Sequence, residues 1–337
     1  MTQGVAPPTR PQPRAEMSRA ASSVRALGRG LLFTVLWCIP SLLATAHEGP
    51  APQYWLVRTY GLGDPGVAAA DLAQLDVQRW EADQWSVSSV TDLAATTADC
   101  LTVVYVHGNR GDDASAIEHG RRIGAHLAEQ PGGRPFQVLI WSWPSAQTQR
   151  GRKDFRAKAE RTDTEAWYLG TLLDRFDARA EVALIGYSYG ARVITGALHW
   201  RAGGEYEGRT LPPREPEQTL ARYRVALLAP ALHQDWLATA GTHGDALRVT
   251  QRMLIFYNPC DPALRWYRFV YRCEKPEALG RWGIADHWLG DGSERVEQWD
   301  VSPVIGRTHD EDAYLGSLWI TERLGETLLP PATSPTD

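Results

Sequence analysis

Short apolar runs alternate with longer amphipathic stretches over most of the chain beyond residue 100. Apolar runs of this length are typical of strands that are buried on both faces of a mostly parallel sheet, with helices in between. The pattern predicts strands at 101–106, 136–143, 181–186, 223–229, 252–258 and 296–301, and clear helices at 113–129, 153–176 and 189–200.

The segment before residue 100 has a different pattern. Residues 54–60 and a short alternation of apolar and polar residues around 86–90 predict two edge strands, and we expect these two to pair antiparallel. The chain contains no internal repeat and no long linker. It is therefore predicted to be one α/β domain, 47–329, followed by a Pro-rich disordered tail, 330–337.

A serine lies between two glycines at the end of a predicted strand. Residues 186–190 read GYSYG, after the strand EVALI and before the helical stretch YGARVITGAL. In a Gly-x-Ser-x-Gly turn between strand and helix, the serine hydroxyl projects above the sheet and the glycines leave space that a side chain would fill. This context favours Ser188 as a nucleophile. A phosphate-binding turn is disfavoured, because the segment lacks both GxGxxG spacing and a following Lys-Ser/Thr.

A serine nucleophile needs donors for the oxyanion that forms when it attacks a carbonyl. The backbone N–H of Tyr189, at the start of the helix after Ser188, is one candidate. The segment VVYVHGNRG, 103–111, supplies a loop directly after an earlier strand, and the N–H of Asn109 is the second candidate. His107 in this loop is interpreted as a structural residue that is hydrogen-bonded within the loop.

Three segments resemble a known group of proteins. VVYVHGNRGDDASAIEHG, IWSWPSA and VALIGYSYGARVI are similar to bacterial α/β-hydrolase fold proteins grouped as an esterase/lipase-like domain of unknown function. The resemblance covers roughly residues 100–325. It implies the α/β-hydrolase fold with about eight strands, helices on both faces and a triad in the chain order nucleophile, acid, base. Tyr187 and Tyr189 flank Ser188 where many relatives have His-Ser-Met, so the resemblance does not extend to substrate preference.

The acid of such a triad follows a later strand. Asp261 in LIFYNPCDPALRW comes just after the strong strand 252–258, and the Asp-x-Ala-Leu run resembles the acid segment of the group. Asp261 is also well placed to cap a helix that starts at Pro262. Asp235 after the preceding strand is the alternative, and Asp300 is less suitable because it lies at the end of its own strand.

The base is expected in the loop after the last strand. His309 lies in VIGRTHDEDAYLGS, after QWDVSPV and before a predicted terminal helix, AYLGSLWITERL. His287, in an irregular insertion, is the alternative. The order Ser188, Asp261, His309 therefore matches the topology of the fold.

The first 46 residues have the pattern of a secretory signal peptide. A basic, Arg-rich start is followed by the apolar run LLFTVLWCIPSLLATA, 31–46, which ends in small residues and is interrupted by Pro40. The run is too short and too interrupted for a membrane span. We expect cleavage after Ala46, which places the mature protein in the periplasm or outside the cell with no transmembrane span.

Charge and cysteine content limit the partners and the bonds that the protein is expected to form. Without the leader, the formal net charge changes from −5 to −9, which argues against nucleic acid as a partner. In an oxidising compartment, Cys260 and Cys273 are close enough in sequence for a local disulfide. Cys and His residues do not cluster in the sequence as they would at a metal site, and no cofactor is expected.

These observations predict an exported serine hydrolase that cleaves the carboxylic ester of a small-molecule or lipid-like substrate. A thioesterase or acyltransferase uses the same side chains, and a non-catalytic binding module that retains the fold is the alternative from a different class.

Overall fold

The computed structural model describes residues 51–63, 71–130, 134–206, 208–211, 223–271 and 275–329. All of them belong to one compact unit, 46–337. The predicted leader, 1–46, and the predicted tail, 330–337, lie outside the described residues, so the domain bounds stay predictions.

The described residues form one sheet of nine strands with the spatial order β3-β2-β1-β5-β4-β6-β7-β8-β9. The pairs on the β3 side of β1 are antiparallel, and every pair from β1 to β9 is parallel. The strands are β1 Gln53–Arg58, β2 Asp76–Glu81, β3 Gln84–Val87, β4 Leu101–Val106, β5 Phe136–Ser142, β6 Val182–Tyr187, β7 Tyr223–Leu228, β8 Thr250–Tyr257 and β9 Val296–Asp300.

Helices connect and cover these strands. The described helices are α1 Val90–Thr96, α2 Asp113–Ala128, α3 Arg152–Leu173, α4 Tyr189–Arg201, α5 Ala246–Val249, α6 Leu279–Trp282, α7 Asp286–Leu289, α8 Ser302–Ile305, α9 Glu311–Leu315 and α10 Leu318–Leu328. Short 3-10 helices lie at Leu72–Gln74, Leu264–Phe269 and Gly290–Arg295. Within the described part of the chain, no helix is both long enough and apolar enough to cross a membrane.

Neighbouring side chains of β5 show that both faces of the sheet are covered. Ile140 packs against Gly120 of α2, whereas Trp141, the next residue, donates a hydrogen bond of 2.9 Å to the Glu165 carboxylate of α3. Successive side chains of a strand point to opposite faces, so α2 and α3 lie on opposite sides. The central strands β4, β5 and β6 are buried throughout, which explains why their sequences are nearly all apolar.

This topology confirms the predicted α/β-hydrolase fold, and the sheet differs from the expectation in its first strands. β1 and β3 do not pair with each other, because β2 lies between them and pairs antiparallel with both. β2, with the sequence DVQRWE, is polar and half-exposed, so it has no apolar run to predict it. Residue 90 begins α1 rather than ending the second edge strand, since Ser89 caps that helix.

The predicted terminal helix is two helices. α9 ends at Leu315, and the Ser317 side chain accepts a hydrogen bond from the N–H of Ile320 as the N-cap of α10. A serine that caps a new helix competes with continuation of the previous one. The break leaves α9 as a short element directly after His309.

Candidate active site

Ser188 lies at the sharp turn between β6 and α4. Its backbone has φ 53° and ψ −115°, a conformation that non-glycine residues rarely adopt. Its N–H donates to the carbonyl of Leu228 at 2.9 Å, which holds the turn against β7. A Cβ on Gly186 would lie 2.7 Å from the N atom of Ala191, and a Cβ on Gly190 would overlap the carbonyl oxygen of Val106. Both glycines are therefore required for this turn to form.

The structure brings Ser188, His309 and Asp261 into one hydrogen-bonded chain. The Ser188 Oγ lies 3.1 Å from Nε2 of His309, and Nδ1 of His309 lies 2.6 Å from Oδ2 of Asp261. Asp261 follows β8, and His309 follows β9 and α8. Three segments that are far apart in sequence thus meet at the carboxyl ends of parallel strands, where ligand sites of open α/β sheets form.

The carboxyl group of Asp261 is held from both sides. Its Oδ1 accepts hydrogen bonds from the N–H groups of Ala263 and Leu264 at 2.8 and 2.9 Å, so Oδ2 is left for the imidazole. Asp261 is 1% exposed. A carboxylate fixed in this way selects the tautomer with the proton on Nδ1, and Nε2 then faces Ser188 as an acceptor.

The loop after β4 lies against Ser188. A Cβ on Gly108 would lie 2.7 Å from the Tyr187 ring and 3.1 Å from the Ser188 Cβ. The N–H of Asn109 donates to no acceptor among the described residues, and Asn109 lines the same cavity as Ser188. The N–H of Tyr189 is in the first turn of α4, where helical N–H groups have no intrahelical partner. Both candidate oxyanion donors therefore lie near Ser188, and within the described part of the chain neither N–H donates to another backbone carbonyl.

His107 is part of the loop's own structure, as interpreted from the sequence. It is buried, its Nδ1 donates to the carbonyl of Gly108 at 2.9 Å, and its Nε2 accepts from the N–H of Trp143 at 3.1 Å. Burial lowers its pKa to about 4, so the ring is neutral at physiological pH. The neutral ring ties the loop after β4 to the end of β5.

The alternative acids and base lie elsewhere. Asp235 and His287 are exposed and do not line the cavity around Ser188. Asp300 is the last residue of β9 and accepts a hydrogen bond from the N–H of Ser302 at 2.8 Å. None of these three groups contacts His309 or Ser188 within the described part of the chain.

Two residues that the sequence analysis missed hold the histidine loop. The side chain of Asn258, fully buried at the end of β8, donates to the carbonyls of Gly306 and Thr308 at 2.8 and 3.3 Å. Its Oδ1 accepts from the N–H of Cys260 at 2.9 Å, so one amide connects the acid segment to the base segment. The Tyr187 hydroxyl donates to the carbonyl of His309. In the sequence, an Asn two residues before a loop cysteine is interpreted as an ordinary turn residue. No local pattern indicates that its side chain connects the acid segment to the base segment.

A cavity of about 770 Å³ opens above Ser188 and His309. One wall comes from the start of α3, with Phe155, and the other from the 3-10 helix Leu264–Phe269. The side chains that face it are mostly apolar or aromatic, namely Phe155, Tyr187, Tyr189, Leu264, Trp266, Tyr267, Phe269 and Val270. Its volume is in the range of small-molecule sites.

The predicted disulfide involves a residue outside the described part of the chain. Cys273 is not described, and Cys260 is exposed. The pairing of Cys260 with Cys273 stays a prediction.

Comparison with known proteins finds distant structural similarity. No protein-family model and no curated protein sequence matches the chain. Among solved structures, the chain is similar to acyl-protein thioesterase 2 of Zea mays, with 13% identity, a TM-score of 0.38, and coverage of 67% of this chain and 91% of that one. It is also similar to an inhibited esterase B of Lactobacillus rhamnosis, with 14% identity, a TM-score of 0.40, and coverage of 83% and 87%. A third is a dienelactone hydrolase-like promiscuous phosphotriesterase from metagenomic libraries, with 12% identity, a TM-score of 0.38, and coverage of 75% and 92%. At such low similarity, the function has to be argued from the site itself.

Proposed function

We propose that the protein is an exported serine hydrolase that cleaves a carboxylic ester through an acyl-enzyme on Ser188. The observation that carries this proposal is the hydrogen-bonded chain from Ser188 through His309 to Asp261 at the base of the cavity. The proposal of export rests on the apolar run 31–46 and its small-residue end.

In this mechanism, Ser188 attacks the ester carbonyl while Nε2 of His309 accepts its proton. The carbonyl oxygen becomes an oxyanion, which the N–H groups of Asn109 and Tyr189 stabilise. His309 then gives the proton to the leaving alcohol, and an acyl group remains on Ser188 Oγ. Water, activated by the same imidazole, releases the acid and restores the serine.

The surroundings of the triad support these roles. The loss of one oxyanion donor costs roughly 100- to 1000-fold in kcat in a serine hydrolase, so each of the two N–H groups near Ser188 would contribute substantially to the rate. Asp261 keeps its charge oriented through two backbone N–H groups, and it steadies the imidazolium that forms during the reaction.

Labelling with a fluorophosphonate, followed by peptide mapping, tests the proposal. The probe should modify Ser188 and no other serine, and the Ser188→Ala variant should not be labelled. Ser86→Ala, at a partly exposed strand position away from the site, is the matched control and should label as the wild type does. A folded protein that stays unlabelled would contradict the proposal and would favour the non-catalytic binding module.

A further inference from the structure

A second cavity adjoins the one above Ser188. It measures about 350 Å³ and shares two wall residues, Arg152 and Phe269, with the first. Its described wall contains five basic side chains, which come from the start of α3, from the 3-10 helix and from the segment after that helix, namely Arg152, Lys153, Arg156, Arg268 and Lys275. We call it the basic cavity. The two cavities are therefore neighbours, and the wall of the second is mainly basic where that of the first is mainly apolar.

The basic cavity carries more positive charge than the described residues around it neutralise. None of its described wall residues is acidic, although the whole chain has a formal net charge of −5. Arg152, Lys153 and Lys275 form no ion pair with any carboxylate of the described residues. Arg268 contacts Glu277 at 3.1 Å, and Arg281 shares that same carboxylate at 3.2 Å.

Among the residues that the structure describes, the nearby groups of α3 and of the segment before it do not supply the missing negative charge. The Arg156 guanidinium donates to the carbonyl of Val270 at 2.8 Å, which fixes its position without neutralising it. Asp154, the acid in the first turn of α3, accepts from the N–H groups of Thr148 and Gln149, on the side of the preceding loop. Like charges held close together repel, and an anion in the basic cavity would relieve that repulsion.

We propose that the basic cavity binds an anionic group, a phosphate or carboxylate, carried by the substrate itself. This inference rests on the proposed function of the Ser188 site and narrows its substrate class. The substrate is then an ester whose reacting carbonyl lies at Ser188, whose apolar segment contacts Phe155 and Phe269, and whose anionic group lies beside Lys153 and Arg268. Substrates that lack the anion lose this part of the binding energy.

Paired ester substrates test the proposal. p-Nitrophenyl monoesters of dicarboxylic acids from glutarate to suberate are compared with p-nitrophenyl esters of monocarboxylic acids of equal length. For the chain length that fits, kcat/KM should be at least about 10-fold higher for the anionic ester at low ionic strength, and 0.5 M NaCl should reduce the preference several-fold because salt screens exposed charges. Equal kcat/KM for both series at every length would overturn the proposal while leaving the hydrolase function intact.

Charge-removing variants locate the preference. Lys153→Gln combined with Lys275→Gln should abolish most of the preference for the anionic ester and leave turnover of the neutral ester unchanged. The matched control is Arg175→Gln combined with Arg179→Gln, which removes two exposed cations just beyond the far end of α3 and should change neither rate. A preference that survives the lysine variant would contradict the placement of the anion.

A binding measurement separates this inference from the hydrolase function. n-Octyl phosphate, below its micellar concentration, is titrated into the Ser188→Ala variant by calorimetry, with 1-octanol as the neutral comparison. The phosphate should bind at least about 10-fold more tightly, and the added lysine substitutions should remove the difference. If the protein hydrolyses no ester at all, the proposed function fails, and this titration still decides the anion site.

Lysine acetylation gives an independent readout. The chain has three lysines, and Lys158 is buried with its Nζ donating to the carbonyl of Pro144, so the two reactive lysines are those of the basic cavity. Octyl phosphate should protect Lys153 and Lys275 from acetic anhydride, and 1-octanol should not.

Vesicles distinguish the source of the anion. Phosphatidylglycerol vesicles are compared with phosphatidylcholine vesicles by co-sedimentation. Binding to anionic vesicles with no binding of monomeric octyl phosphate would overturn the substrate site and would favour docking to a lipid surface.

Discussion

The side chain of Asn258 offers the sharpest test of how the catalytic loop is positioned. Its amide connects the segment after β8 to the segment that carries His309 through three hydrogen bonds, to Cys260, Gly306 and Thr308. Asn258→Ala removes all three, at about 1 kcal/mol each, so the free energy of unfolding should fall by roughly 2–3 kcal/mol. The His309 loop also loses its connection to the acid segment.

Activity should fall as well as stability. A displacement of about 1 Å in a catalytic group can cost roughly 100-fold, so we expect kcat to fall between about 10- and 100-fold while KM changes little. The assay is p-nitrophenyl butyrate hydrolysis, beside urea unfolding of the same protein. Gln298→Ala is the matched control. The Gln298 amide makes two hydrogen bonds with Ile284 at 2.9 and 2.7 Å, away from the site, so its loss should reduce stability and leave kcat unchanged.

Asn258→Asp separates positioning from mere packing. A carboxylate at this position still accepts from the Cys260 N–H, but it cannot donate to the carbonyl oxygens of Gly306 and Thr308 and repels them. Because this repulsion displaces the His309 loop, kcat should fall below that of the Ala variant at neutral pH. At lower pH, the protonated carboxyl can donate again, so the ratio of variant to wild-type kcat should rise. A variant with reduced stability and wild-type kcat at every pH would refute the positioning role.

Three further predictions concern the site and its support. Asp261→Asn should lower kcat on the order of 10⁴-fold, by analogy with the same change in a serine protease, and steady-state kinetics should show wild-type-like KM; a loss under 10-fold would contradict the role of Asp261. Hydrogen bonding to Glu311, a buried carboxyl that also accepts from Tyr105, raises the pKa of His119. The stabilisation from this contact should be fully present below the ordinary histidine pKa of about 6.5 and should be lost as pH rises through the raised pKa. The Tm difference between wild type and His119→Gln should therefore be larger at pH 5.5 than at pH 9. Gly190→Ala should reduce the free energy of unfolding by roughly 3 kcal/mol, since the new methyl group overlaps the carbonyl of Val106, whereas Gly63→Ala, where a Cβ meets open space, should cost little in a urea titration.

The sequence predicts the central sheet well for a physical reason. Strands buried on both faces, such as β4 and β6, must be apolar throughout, so each appears as a continuous run. The half-exposed strand β2 carries no such run, and its place between β1 and β3 depends on pairing with distant residues. Local patterns therefore predict the strands that carry apolar residues, whereas β2 is recognised only in the folded sheet.

The residues of the candidate active site also differ in whether the sequence predicts them. Ser188 is predictable because its turn requires particular neighbours, and Asp261 and His309 because each follows a late strand. Asn258 acts through carbonyl groups about 50 positions away, which no local pattern encodes. The basic cavity combines Lys153 with Arg268, on elements that only the folded chain brings together.

The most direct test of the central claim is the mass of the protein during turnover. In rapid mixing with p-nitrophenyl butyrate, the protein should release one equivalent of p-nitrophenol in a burst and gain the mass of one butyryl group. Peptide mapping should locate that group on Ser188, and the Ser188→Ala variant should show neither the burst nor the added mass. Turnover that persists in Ser188→Ala, or an acyl group on another residue, would contradict the account.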